Sequence, residues 1–234
     1  MNAGTVDRST ARNTDRPGPN YSVFTDTTSR LRYTPADLRV VYWNAGGISG
    51  KTQYLRTLVQ SQDIHIVFLG ETKLRPRQEL RLPNFFVYRR NEVSPRGITF
   101  RDTAVLPGRE LRLFAAYRLS PPSRSRFCSS DILTIFDDCI PTIVTGDLNA
   151  NHIAWGSRVI SPAGRQLLQD SEQHGYEVIG SDTPSHIPTD PRFRADVLDV
   201  VLCHQLSYSI HVEVLHDMDT QHLPIPITLG TTAI

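Results

Sequence analysis

The sequence predicts an α/β or layered α+β fold, because short apolar runs alternate with stretches of helical periodicity from Leu38 onward. Its length of 234 residues leaves room for one sizeable domain, since single cores commonly occupy roughly 100–200 residues. No internal repeat interrupts the pattern. Residues 1–37, rich in Thr, Arg, Asn, Asp, Ser, Pro and Gly without sustained periodicity, read as a flexible leader. The domain is expected over 38–229, with 230–234 as a tail.

Leu38–Trp43 reads as the first strand, closed by Asn44-Ala45-Gly46-Gly47. A helix fits Lys51–Gln60, where Tyr54, Leu55, Leu58 and Val59 form one apolar stripe. Ile64–Leu69 is a buried strand running into Gly70-Glu71-Thr72, and Phe85–Tyr88 and Leu111–Tyr117 are further strands, the latter stopped by Pro121-Pro122. A short helix over Asp131–Asp137 precedes the strand Thr142–Thr145, which ends in Gly146-Asp147-Leu148-Asn149. Ser161 fits an N-cap with Pro162 at the first helical position, and Gly175 a helix terminator. Val197–Leu202 and Ile210–Leu215 are strand-like. The prolines of the last segment, His222–Leu229, favour an edge or terminal strand.

Composition excludes several classes. Hydrophobic residues make up 39% and charged residues 21%, the ordinary globular range. No apolar run approaches the roughly 18 residues of a membrane span, so no membrane partner is expected. The first twenty residues lack the apolar core of a secretory signal. Cys128, Cys139 and Cys203 follow no disulfide or zinc spacing and read as small buried hydrophobes. The net charge of +1 hides a segregation: residues 73–126 carry 13 basic and 4 acidic side chains, residues 127–234 carry 4 and 14. Arginine dominates the basic set, with Lys51 and Lys73 the only lysines, and its planar fork suits phosphate. A basic stretch beside an acidic one suits a protein that binds phosphodiesters and uses a metal; a solvated charged surface is the alternative.

The most informative regularity is that apolar strands end directly in a carboxylate or carboxamide. Asn44 follows Val40–Trp43, Glu71 follows Ile66–Leu69, and Asp147 with Asn149 follows Ile143 and Val144. Strand ends on one edge of a layered sheet can converge on a single cleft, and their hard oxygen atoms suit Mg²⁺. Singly, an Asp or Asn after a strand is more often a turn former or helix cap, and Glu71 is equally a solvated residue.

The ordered set Trp43-Asn44-Ala45-Gly46-Gly47, Leu69-Gly70-Glu71-Thr72, Tyr117 ahead of Pro121-Pro122, G-D-L-N-A-N-H-I-A-W-G-S at 146–157, V-L-D-V-V at 197–201 and Gln221-His222-Leu223 resembles the endonuclease/exonuclease/phosphatase superfamily. The 146–157 stretch followed by S-P-A-G-R-Q-L is similar to the apurinic-type endonuclease domain of jockey-like non-LTR retrotransposons. That resemblance implies a four-layer α/β/β/α sandwich of two mixed sheets and a Mg²⁺- or Mn²⁺-dependent DNA endonuclease that nicks a target site. It also implies a reverse transcriptase domain on the same chain, element RNA as a partner, and a nuclear location. Glu71 would hold the metal with Asn44 beside it, Asp147 would activate water, Asn149 would bond the phosphate, and Tyr117 would contact it. His222 would be a general base or a charged phosphate clamp, with Asp199 fixing its imidazole. Arg75, Arg77, Arg118, His152 and Trp155 are candidates for nucleic-acid contact, Trp155 equally for a packing anchor. Asp196 reads as solvated, and His186 shows no ligand spacing.

Two departures from the family pattern stand out. Its last motif ends in Ser-Asp-His, whereas Thr220-Gln221-His222 puts a carboxamide at the metal-facing position. Between Tyr88 and Tyr117 only 28 residues replace a longer interval that holds a strand of the G-G-x-A-I-L-V kind, implying one or two missing strands and an unpaired sheet edge. These departures also admit an inactive element remnant that binds nucleic acid through residues 73–126. A cellular apurinic-type repair endonuclease or other phosphoesterase is a third reading.

Overall fold

Runs of Val, Ile, Tyr, Trp and Phe make the strands, and the computed structural model describes them within residues 20–25, 38–75, 77–90, 98–105, 111–118, 129–218 and 220–232. In chain order these are β1 (Asn20–Thr25), β2 (Arg39–Asn44), α1 (Thr52–Ser61), β3 (Ile66–Gly70), β4 (Phe85–Arg90), β5 (Ile98–Val105) and β6 (Arg112–Arg118). There follow α2 (Ser129–Leu133), β7 (Thr142–Asp147), α3 (Pro162–His174), β8 (Glu177–Ile179), β9 (Asp199–His204), β10 (Tyr208–Val212) and β11 (Ile225–Thr232). A 3₁₀ turn at Ile153–Trp155 separates β7 from α3.

The strands form a six-stranded sheet in the order β10-β11-β2-β3-β1-β4 and a five-stranded sheet in the order β5-β6-β7-β9-β8. Both are mixed: β2 pairs with β3 and β6 with β7 in parallel, and the other pairs are antiparallel. Period-two alternation gives each sheet two apolar faces. Val40, Phe68 and Ile225 of the first sheet pack against Leu113, Ile143 and Val201 of the second. On the outer faces, Val41 and Val67 meet Leu55, Leu58 and Val59 of α1, and Val144 and Leu202 meet Ile132 of α2 and Leu167 of α3. Three apolar interfaces therefore separate four layers, the expected α/β/β/α sandwich. Ser161 caps α3 by accepting from the Gly164 N–H, and Gly175 ends it at φ 71°.

Several local expectations change. Asn20–Thr25, placed by sequence in the leader, is a strand lying between β3 and β4 and antiparallel to both. Low-complexity composition around it masked a six-residue run with Tyr, Val and Phe. The short interval before Tyr117 accordingly leaves no gap beside β3, and it supplies β5 to the other sheet. β11 is internal, flanked by β10 and β2, and continues through Thr232 into the supposed tail. Pro226 keeps the half of the pairing it can make: its carbonyl accepts from the Glu213 N–H, one residue past the end of β10, and only the bond its missing N–H would give is lost. Helix α2 closes at Leu133, short of Asp137. Cys203 is buried but Cys139 is exposed. Arg96-Gly97, Pro121-Pro122, Cys128 and Asp219 lie outside the described residues.

Because Tyr21–Phe24 of β1 pair with a strand on each side, their backbone N–H groups face a ladder whichever way they point. Val23 stands opposite Val67 and Val87. Val23→Pro is expected to lower the unfolding free energy in urea by about 1–3 kcal/mol, the cost of an orphaned buried hydrogen-bonding group.

Candidate active site

The geometry of the cluster begins with strand register. β7 and β9 are antiparallel with Asp147 opposite Asp199 at the end of the ladder, so both carboxylates emerge on one face. Asp147 is 3% and Asp199 1% exposed. The His222 imidazole, just before β11, completes the group: ligand atoms of Asp147, Asp199 and His222 lie within 4.8 Å of one another. His222 Nδ1 is 3.4 Å from Asp199 Oδ2. Asp199 Oδ1 is buried with no hydrogen-bond partner among the described residues, an unmet acceptor in a cluster of oxygen donors. An oxygen-rich, crowded anionic group of this kind fits a hard divalent cation.

Gly146 makes the register possible. A Cβ there would fall 1.7 Å from the carbonyl oxygen of Ala116, its partner on β6, so no other residue fits between β6 and β7 at this point. β6 then sets Tyr117 beside Asp147. The Tyr117 hydroxyl donates to Glu71 Oε1 across the two sheets. Glu71 leaves β3 at φ 42° and Asn149 leaves β7 at φ 47°, left-handed conformations that turn the chain sharply at the cleft.

β2 serves the same centre from the first sheet. Asn44 Nδ2 donates to Asp147 Oδ2 at 3.3 Å, while its Oδ1 accepts from the Gly46 N–H. Trp43 Nε1 donates to the carbonyl of His222 at 2.9 Å. The Asp147 Oδ1 atom accepts from the Asn149 N–H at 3.1 Å, and Asn149 Nδ2 donates to the Arg118 carbonyl at 2.8 Å. Sequence reasoning thus named Asn44, Glu71, Tyr117, Asp147, Asn149, Asp199 and His222, and the structure gathers them at one end of the sandwich.

Burial and the Asp199 charge raise the Asp147 carboxyl above the usual carboxylate range, with His222 and the Asn149 N–H opposing them. Burial disfavours the charged imidazole of His222, yet the hydrogen bond and charge of Asp199, joined by the charges of Asp147 and Glu71, push it up to about 9. His222 is therefore a cation at neutral pH in the metal-free protein.

Other candidates fall elsewhere. Gln221 is exposed, and its Nε2 donates to Thr189 Oγ1 at 2.7 Å, so the carboxamide stands outside the cluster. Its neighbours in the 187–190 segment take it: the Ile187 N–H also donates to the Gln221 carbonyl. Arg118 is 4% exposed and donates to the carbonyls of Leu148 and Asn149, so it braces the loop after β7 instead of offering an open phosphate contact. Trp155 is buried with Nε1 bonded to the Ala150 carbonyl, and His152 is buried with Nδ1 accepting from Ala154. Both pack the loop. Arg75 and Arg77 are exposed. Asp196 is more than solvated: it accepts from the N–H groups of Arg158 and Val197 and from Asn151 Nδ2.

Sequence reasoning missed His186, whose ring centroid lies 4.6 Å from that of His222 and which forms isolated bridges to Asp196 and His222. It also missed Ser185, fully buried, whose Oγ accepts from the N–H groups of Leu198 and Asp199 at 3.2 Å. Neither belongs to a strand in the sequence pattern, and their closeness to Leu198 and Asp199 is spatial, so no sequence signal could have flagged them.

An α/β/β/α sandwich with carboxylate, carboxamide, phenol and imidazole groups converging at the strand ends is the architecture of a hydrolytic, phosphoryl-handling class. The chain belongs to the Endonuclease/Exonuclease/phosphatase family, whose sequence profile matches residues 41–219. Its relatives are jockey-like retrotransposon proteins. The RNA-directed DNA polymerase from mobile element jockey of Drosophila melanogaster is 25% identical over 228 residues, covering 86% of this chain and 25% of that protein. The chain thus spans about a quarter of the length of this relative. Among solved structures, the endonuclease domain of TRAS1, a telomere-specific non-LTR retrotransposon, superposes with a TM-score of 0.59 at 15% identity, covering 82% of this chain and 98% of that one. An AP endonuclease from Archaeoglobus fulgidus gives 0.53 at 12% identity over 83% and 100%. These two likenesses establish the fold. No helix among the described residues is long and apolar enough to cross a membrane.

The His222–Asp199 pair predicts a pH dependence of stability in the presence of a chelator. The ordinary imidazole value is 6.5 and the folded value about 9, so the stabilisation is whole below pH 6.5 and fades as pH rises through 9, where the folded chain loses its proton. The stability difference between wild type and His222→Gln, measured by urea unfolding, is expected to shrink by on the order of 2 kcal/mol across that window.

Proposed function

We propose that this chain is the endonuclease domain of a jockey-like non-LTR retrotransposon, hydrolysing a DNA phosphodiester with Mg²⁺ or Mn²⁺ to nick a target site. The observation that carries the reading is the buried Asp147–Asp199–His222 cluster joined across the sheets by Asn44 and fronted by Glu71 and Tyr117. In this reading Glu71, with Asn44 beside it, holds the cation at the cleft. A divalent ion bound there supplies positive charge against the developing phosphoryl charge and makes bound water more acidic.

The protein's own groups do the rest. Asp147, buried and hungry for a proton, orients the attacking water and takes its proton. Asn149 presents its side-chain amide to the phosphate, and the Tyr117 hydroxyl contacts a phosphate oxygen. The raised pKa of His222 supports its role as a charged phosphate clamp and proton donor over that of a general base, with Asp199 fixing Nδ1 and leaving Nε2 for the substrate. Exposed Arg75 and Arg77 would engage flanking phosphates. A reverse transcriptase region on the same polypeptide, element RNA and nuclear action belong to this reading by way of the relatives.

One observation favours a second reading. Gln221 is a carboxamide turned toward Thr189, so the carboxylate that the family motif places before the histidine is missing from the cluster. An inactive descendant would then hold nucleic acid without cutting it.

Nicking of supercoiled plasmid separates these. Wild type is expected to nick with Mg²⁺ and to stop in chelator, and Asp147→Asn is expected to lose about 10²–10⁴-fold of the rate. If wild type and Asp147→Asn are both inert while Gln221→Asp cuts, the chain is a decayed nuclease. If none cuts and DNA is retained with a steep salt dependence, it is a binding module.

A further inference from the structure

We propose that Tyr42 is a positioning residue for Asp147, holding that residue's backbone from the opposite sheet. The inference goes beyond the functional reading and rests on it only in taking Asp147 as the group that activates water. Val40, Tyr42 and Asn44 alternate onto the same face of β2, the face that meets the second sheet. Tyr42 is 1% exposed among the apolar side chains between the sheets, where a phenol oxygen needs a partner. Its partner is the catalytic strand: the Asp147 N–H donates to the Tyr42 hydroxyl at 3.3 Å.

The surroundings are shaped for that hydroxyl. Gly70, opposite Asn44 on β3, has no Cβ, and one built there would stand 2.9 Å from the Tyr42 oxygen and 3.3 Å from the Asn44 Cα. Two residues further along β2, Asn44 Nδ2 binds the Asp147 carboxylate itself. Tyr42 therefore fixes the backbone of Asp147 and Asn44 fixes its carboxylate, both from a strand that belongs to the other sheet. A phenol is uncharged at neutral pH, so Tyr42 adds no third negative charge to the cluster. Tyr42 does not reach a reacting atom in this arrangement; its action passes through Asp147.

Tyr42→Phe keeps the ring and removes the oxygen. Plasmid nicking with Mg²⁺ is expected to show kcat lowered about tenfold, the loss of one well-placed hydrogen bond, with KM for DNA unchanged. Amide hydrogen exchange read by NMR is expected to quicken at Asp147 while Val41 and Val67 exchange as before. Gly70→Ala is expected to lower kcat in the wild-type background and to have a smaller effect on top of Tyr42→Phe, because the added methyl then meets the Asn44 backbone but no hydroxyl. Wild-type kcat and unaltered Asp147 exchange in Tyr42→Phe would overturn the proposal, as would exchange that quickens uniformly through the core. If wild type itself fails to cut, the reading of the site falls, and the exchange at Asp147 still decides whether Tyr42 holds its backbone.

Discussion

Two carboxylates buried side by side are the constraint around which this molecule is arranged. β7 and β9 end in register at Asp147 and Asp199, and neither side chain can turn to solvent. Unrelieved, two such charges would be costly. The protein answers with the imidazolium of His222, with the amide of Asn44, and with the N–H of Asn149 on Asp147. What is left over, the unpartnered Asp199 oxygen and an Asp147 that resists ionisation, is the demand that a bound cation would meet.

The same cluster explains why the sandwich has two sheets meeting face to face. No single sheet contains the site. β2 contributes Asn44 and the Trp43 bond to the His222 backbone, β3 contributes Glu71 at its exit, and β6, β7 and β9 contribute Tyr117, Asp147 and Asp199. Site geometry and inter-sheet packing are one quantity: a slip between the layers would separate Glu71 from Tyr117 and Asn44 from Asp147 together. The apolar interface of Val40, Phe68, Leu113 and Ile143 is accordingly part of the functional apparatus. So is Gly146, whose missing side chain lets β6 and β7 come close enough to place Tyr117 next to Asp147.

Much of this was legible in the sequence because strand ends and caps are local. An apolar run followed at once by Asn44, Glu71 or Asp147 identified both the strand and its functional terminus, and Ser161-Pro162 and Gly175 marked α3 from both ends. What escaped depends on partners distant in the chain. β1 is recognisable only through the β3 and β4 edges that receive it. Pro226 was read as an edge signal, yet its strand is internal, flanked by β10 and β2, because the proline carbonyl still accepts from the Glu213 N–H. Trp155, His152 and Arg118 carry side chains that suit nucleic acid as well as they suit a packed loop, and burial decided for the loop. Gln221 occupies a motif position, but its amide follows the hydrogen bond offered by Thr189. Tyr42 was hidden in a strand whose alternation already placed it on the Asn44 face.

The most direct test of the claim that this crowded cluster is a cation site is calorimetric titration of Mg²⁺ or Mn²⁺ at neutral pH in two buffers of different ionisation heat. Asp147 holds its proton more tightly than a carboxylate does in water, so a cation bound beside it is predicted to release that proton while His222 keeps its own, and the measured heat to change with the buffer. Binding should weaken sharply in Asp147→Asn. An absence of binding, or a heat that is the same in both buffers, would contradict the account.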